Sequence, residues 1–154
     1  MKLFGKAMAV AVSMVVCVVL VLSQVYTPSA QQHTGARIKI CVVDLDGNPV
    51  HNAKVKVVGC NLVFNTDNNG LSPSIDLPKL TNVYDAKIDQ WYTVNLHVQK
   101  SGYVDTFVLN CVVYLQQNRN LTVKIYPTDD SHLPYVCYVE SPPSEYLESL
   151  ISQN

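Results

Sequence analysis

Hydrophobic and polar residues alternate in short runs over most of this chain. In Arg37-Ile38-Lys39-Ile40-Cys41-Val42-Val43, the side chains of Ile38, Ile40 and Val42 fall on one face. Successive side chains of a strand point to opposite sides, so this period of two predicts a half-buried strand. Asp46-Gly47-Asn48-Pro49 ends it, because Gly and Asn accept positive φ and Pro brings no N–H to a ladder. Ala53-Lys54-Val55-Lys56-Val57 alternates again, with the lysines outward. Leu62-Val63-Phe64 is a short extended piece, closed by the turn Asp67-Asn68-Asn69-Gly70. Residues 71–77 form a weaker strand that Pro73 confines to an edge.

Residues 80–90 make up the longest irregular segment. Beyond it, residues 93–99 place Val94, Leu96 and Val98 inward. Ser101-Gly102 turns the chain, and Tyr103 opens the longest predicted strand, 103–114, with Phe107, Leu109, Cys111 and Val113 as its apolar face. A turn at 116–119 leads to a last core strand lined by Leu121, Val123 and Ile125. No segment before residue 140 has a helical period. The apolar piece 135–139 lies between Pro134 and Pro142-Pro143, and residues 145–151 allow one or two helical turns with Ser144 as N-cap. Strands at this spacing predict an all-β fold, an antiparallel Greek-key sandwich of about seven strands. The predicted organisation is a leader over 1–30, a linker over 31–35, the sandwich over 36–126 and a tail over 127–154. The tail is long enough to add a strand and a short helix.

The first thirty residues change the picture. Lys2 and Lys6 precede an uncharged run over 7–22, interrupted only by Ser13. This is the layout of a secretory signal. Extended through residue 25, the run approaches the ~20 apolar residues of a membrane span. Cleaved signal and uncleaved anchor both remain open, and both place the remaining chain outside the cytoplasm. Any membrane contact would then run through residues 7–25. Without Lys2 and Lys6, the 11 basic residues fall to nine against 12 acidic ones. The exported part therefore carries a net charge near −3 and has no basic cluster. Nucleic-acid binding depends on Lys and Arg neutralising phosphates, so a nucleic-acid partner is not expected.

Four short motifs carry a resemblance. They are Asp44-x-Asp46-Gly47-x-Pro49-Val50, Ala53-x-Val55-x-Val57, Thr66-Asp67-x-x-Gly70 and Lys100-x-Gly102-Tyr103. Over residues 37–126 the chain resembles the carboxypeptidase regulatory-like family, a transthyretin-like (prealbumin-like) β-sandwich related to the collagen-adhesin B-type repeats. The resemblance implies a module without an active site of its own. The adhesin-type relatives often join first and last strands by an isopeptide bond from a Lys one residue before the position of Val43. Val42 stands there instead, and no such bond is expected.

Candidate chemistry is sparse. Cys41, Cys60, Cys111 and Cys137 could form disulfides in three pairings, or remain thiols. Cys111 on an apolar face reads equally well as a small hydrophobe. Their spacing fits no zinc pattern. The Asp44 turn has a calcium-like start, but a calcium loop needs a Glu at position 12, where Val55 stands. No metal or cofactor is expected. His33, His51, His97 and His132 are scattered, and His97 alternates outward with Asn95 as a solvated residue. Nucleophilic catalysis needs a base beside the nucleophile, and nothing in the pattern supplies one, so no enzymatic activity is expected.

The aromatic residues Tyr84, Trp91, Tyr92 and Tyr103, in or near the long loop, are the candidate ligand-binding positions. Long loops on rigid sandwiches often carry function, and aromatic faces can stack on sugar rings. The simpler reading is that Trp91 and Tyr92 plug the end of the sandwich. Two functions stay open. One is a structural or protein-interaction module at the cell envelope. The other is a glycan or cell-wall-polymer binding module using the loop around Trp91.

Overall fold

A computed structural model of the chain describes residues 35–128 and 133–152. The predicted leader, His33, Asp129-Asp130 and His132 lie outside the described residues. Eight strands are present: β1 (Arg37–Val43), β2 (Lys54–Val58), β3 (Leu62–Asn65), β4 (Ile75–Asp76), β5 (Trp91–Gln99), β6 (Thr106–Tyr114), β7 (Asn118–Lys124) and β8 (Val136–Val139). One helix, α1 (Ser144–Ile151), follows. The strands form a three-stranded sheet, β4-β1-β7, and a five-stranded sheet, β3-β2-β5-β6-β8. Inward residues of both sheets, including Ile38, Ile40 and Val42 against Val55, Val57, Leu96 and Val98, make one buried cluster. That is a β-sandwich.

The sheets are mixed, which corrects the expectation of a purely antiparallel sandwich of about seven strands. β1 pairs with β7 in parallel, from Arg37↔Asn118 to Val43↔Lys124. β6 pairs with β8 in parallel, from Thr106↔Val136 to Leu109↔Val139. Both pairings join strands that are neighbours in the sheet but not consecutive in the sequence, and alternation along one strand carries no sign of its neighbour's direction. Among the described residues, no helix is long and apolar enough to cross a membrane.

The turn motifs explain themselves locally. Asp44 Oδ1 accepts the backbone N–H of Asp46 at 3.0 Å and of Asn48 at 2.8 Å. Asp67 Oδ1 does the same for Asn69 and Leu71, both at 2.9 Å. In each loop a Gly at the fourth position, Gly47 or Gly70, has positive φ and donates back to the Asp carbonyl. The Asn48 side-chain amide and these loop N–H groups hold the Asp44 carboxyl below its ordinary value. Thr66 is buried, and its Oγ1 accepts from the Ala53 N–H at 2.8 Å and donates to the Val50 carbonyl at 2.6 Å. The Asp-x-x-Gly signatures thus serve the turns and Thr66 ties their flanks together.

β6 overturns one predicted face. Thr106 and Val108 are buried, whereas Phe107 and Leu109 are only half-buried. Asn110 has φ 55, and the β5–β6 register shifts between Val94 and Leu96. The extra residue is a β-bulge, which reverses the parity of everything before it. Cys111 and Val113 remain inward. Asn95 Oδ1 accepts the Asn110 N–H at 2.9 Å and holds the bulge in place.

Candidate functional site

The outward row of β5 begins at Trp91 and runs through Thr93, Asn95 and His97. Trp91 is outward yet only 6% exposed, because two segments fold over it. The first is the loop before β5. Asn82 is buried, donates from Nδ2 to the Trp91 carbonyl at 2.8 Å and accepts the Tyr84 N–H through Oδ1 at 2.9 Å. One amide thus pins the loop to the strand and sets Tyr84 beside Trp91, with ring centroids 5.7 Å apart. The second is α1, which brings Tyr146 to 5.8 Å from Trp91 and 5.7 Å from Tyr84. The three rings are tilted or edge-on, at 49° to 72°.

A cleft of about 490 Å³ opens beside this cluster, between the loop and the helix. Asp85, Asp89 and Glu145 put three carboxylates in its lining against the one ammonium of Lys87, and Gln90 and Ser149 add neutral polar groups. The Asp85 carboxylate also accepts the Lys87 N–H at 2.8 Å, which shapes the loop. Aromatic edges, carboxylates and an amide can together recognise a hydroxyl-bearing or cationic ligand. Nothing in that set is a nucleophile paired with a base.

The four aromatic candidates therefore separate. Tyr84 and Trp91 meet at the cleft. Tyr92 points to the opposite face, 1% exposed in the core, with its hydroxyl 3.4 Å from the Ala36 N–H. Burial pushes its phenol above the ordinary value. Tyr103 bridges to Pro127 and packs against the core. A flat exposed platform of Tyr84, Trp91 and Tyr103 is absent from the described residues. Two residues were missed in the sequence, Tyr146 and Asn82. Tyr146 carried a signal, being the only aromatic residue in the terminal helical stretch. Asn82 in an irregular loop carried none.

His97 is also corrected. It is not a solvated surface residue: its Nε2 lies 2.8 Å from Asp105 Oδ2, and its ring stacks on Phe107 at 4.2 Å and 10°. Gln99 donates to the same Asp105 oxygen at 2.9 Å. The group braces the β5–β6 turn. The Cys41, Cys60, Cys111 and Cys137 side chains are free thiols. Cys60 is half-buried and packs against the core. Burial pushes the Cys111 thiol up to about 12 despite the nearby Arg119. Among the described residues, no group of three or more His, Cys, Asp or Glu could hold a metal ion.

The end of the chain closes the fold. β8 joins the five-stranded sheet, and the Glu140 N–H donates to the Leu109 carbonyl at 3.0 Å. Glu140 Oε2 then accepts the Val112 N–H at 3.1 Å, while Arg119 donates to the Val112 carbonyl and, at 2.6 Å, to Glu140 Oε1. The helix starts after Pro143, which makes no side-chain cap, rather than after a Ser144 cap.

No protein-family model matches the chain, and no curated protein does. Among solved structures, a chain of a type II cohesin–X-dockerin complex from Acetivibrio cellulolyticus matches at 14% identity with a TM-score of 0.45, over 60% of this chain and 58% of that one. A protein from Bacteroides uniformis described as a candidate carbohydrate-binding protein matches at 16% identity and a TM-score of 0.42, over 60% and 42%. The 3-chlorocatechol 1,2-dioxygenase of Rhodococcus opacus matches at 15% identity and 0.37, over 60% and 59%. Each match spans less than two thirds of the other chain's length. Likeness at these values carries no argument about function.

Proposed function

We propose that the chain is a non-catalytic, exported β-sandwich module that acts at the cell envelope through protein contact, with α1 as the contacting element. The observation that carries this reading is the outward apolar edge of that helix. Tyr146 anchors it to the sandwich, while Leu147 is exposed and Ile151, one turn on, is 76% exposed. Residues four apart share a helix face. An amphipathic helix with such anchors suits an apolar groove in a partner. Glu145 lies in the first turn, Glu148 in the second, and no basic residue in the last. The fitting partner is an extracytoplasmic protein whose apolar groove has a basic rim.

Two sequence features support the rest of the reading. Lys2, Lys6 and the apolar run over 7–22 support export. The four turn motifs support a carboxypeptidase regulatory-like domain, a class in which the sandwich accompanies chemistry done elsewhere. The test is affinity capture from envelope fractions with the wild type and with a Leu147→Glu/Ile151→Glu variant. Loss of one defined partner, with the melting temperature unchanged, is the expected result. Equal recovery of every bound protein by both forms overturns the helix as the contact.

The cleft favours a second reading, glycan or cell-wall-polymer binding. Its volume of about 490 Å³ lies in the range of ligand pockets, and Tyr84 and Tyr146 sit beside carboxylates able to accept sugar hydroxyls. Calorimetric titration with soluble wall oligosaccharides tests it. Binding that an Asp89→Asn substitution weakens supports the reading, and no heat at millimolar sugar ends it.

A further inference from the structure

The outer edge of β8 is built to pair. β8 is the last strand of the five-stranded sheet. Val136 donates its N–H to the Asp105 carbonyl at 2.9 Å and Glu140 donates to the Leu109 carbonyl. In a parallel ladder alternate residues turn both backbone groups to the neighbour. Tyr135, Cys137 and Val139 therefore direct theirs away from β6, to an edge that is open among the described residues. Edge strands are usually guarded by charge, especially Lys. Here residues 133–139 contain no charged side chain. Pro134 removes no donor from the open edge, since even-numbered residues face β6. The opposite edge, β3, is guarded: Lys54 and Lys56 of β2 stand opposite Asn65 and Val63 on its outer face.

We infer that two copies of the chain associate through antiparallel β8–β8 pairing, across a two-fold axis that sets Cys137 opposite the same residue of the second copy. The strand is complementary to itself in that register. Tyr135 lies opposite Val139 at both ends, an aromatic–β-branched pair of the kind that stabilises antiparallel strands. All three side chains project from the outer face of the sheet, where Tyr135 is 57% and Val139 65% exposed and Cys137 is exposed. Phe107, edge-on to Tyr135 at 6.2 Å, and Leu109, opposite Val139, continue the apolar strip inward from the edge. The contact is isologous and closes at two copies. This inference is independent of the helix and the cleft.

Cys137 supplies the probe. In a hydrogen-bonded antiparallel pair the Cα atoms lie about 5.5 Å apart, inside the roughly 4.4–6.8 Å range of disulfides. The full-length chain in detergent is treated with copper–phenanthroline and oxygen, which takes two electrons and two protons from the two thiols to form the bond. The expected product is a disulfide dimer whose only linked peptide joins Cys137 to Cys137. Sedimentation equilibrium without oxidant gives the association itself. Val139→Lys is expected to weaken it by about tenfold or more, because two cross-strand pairs are lost and like charges enter the edge. At a concentration where both forms are monomeric its melting temperature should not move, since Val139 is outward. A monomer at all concentrations overturns the inference, as does a dimer linked through another cysteine. A Val139→Lys chain that associates as tightly as the wild type, or an edge that takes only a foreign strand, overturns it too.

Discussion

Glu140 and Arg119 form an ion pair at 2.6 Å that joins the end of β8 to β7, the last strand of the other sheet. Both side chains are mostly buried and both also bond the Val112 backbone, the Arg119 guanidinium to its carbonyl and the Glu140 carboxylate to its N–H. The pair therefore caps the stretch of β6 that β8 leaves uncovered. Glu140→Ala would strip a partner from two donors at once. An unmet buried donor costs about 1–3 kcal/mol, so the variant should melt at lower temperature by that measure. A double-mutant cycle with Arg119→Ala should show coupling. Additive effects would mean that the pair contributes nothing beyond its separate contacts.

Gly70 has φ +70, and a Cβ there would sit 2.5 Å from the Val42 carbonyl oxygen. The Val42 N–H donates to the Gly70 carbonyl at 2.7 Å, so the two backbones are held together. Gly70→Ala should destabilise by about 1–3 kcal/mol or more from backbone strain alone. Gly47→Ala, with open space around its Cβ, should cost less. Urea unfolding of the two variants gives the comparison, and equal losses would show that the close approach to Val42 does not matter.

The β6 bulge makes a parity prediction. Leu96 is fully buried, and Leu96→Ala should cost about 2–5 kcal/mol. Phe107, outside, loses mainly its stack on His97. Phe107→Ala should cost about 1 kcal/mol, the scale of an aromatic pair. A larger loss at Phe107 than at Leu96 would put Phe107 back in the core.

What the sequence made legible follows from this. Strands whose alternation is unbroken, such as the Ile38/Ile40/Val42 face and the Val55/Val57 face, read directly as core. The Asp-x-x-Gly turns read directly as turns, because only a few residue types accept their φ. Asn110 could not be read as a bulge, since its φ of 55 depends on Asn95 across the ladder. Parallel pairing of β1 with β7 is a long-range choice that no local period encodes. At the site, Tyr84 and Trp91 were accessible as aromatic residues near a long loop. Their joining to Tyr146 required knowing that the chain end folds back over the outer face of β5.

Alkaline pH gives a further check. Cys111 has its thiol pushed from an ordinary 9.0 up to about 12 by burial. Its neutral form is favoured in the fold, so this contribution to stability is complete below about pH 9. It is lost as pH rises toward 12. Tyr92, shifted upward by burial, acts in the same direction. Melting temperature should fall steadily over pH 9–12, and Cys111→Ser should change the slope in that window. In the native state at neutral pH, iodoacetamide should label exposed Cys137 and leave Cys111 untouched. Labelling of Cys111 as fast as Cys137 would contradict its burial.

The most direct measurement concerns the terminal helix, proposed as the contact while the sandwich serves as its support. Residues 141–154 are deleted, leaving β8 and the Glu140–Arg119 pair in place. Trp91, the sole tryptophan, reports the change. Its emission should shift to the red once Tyr146 no longer covers it, while the domain still melts cooperatively. The account predicts that this folded, helix-less chain loses the protein partner captured by the wild type. A folded chain with red-shifted Trp91 that keeps the partner at full affinity would contradict it.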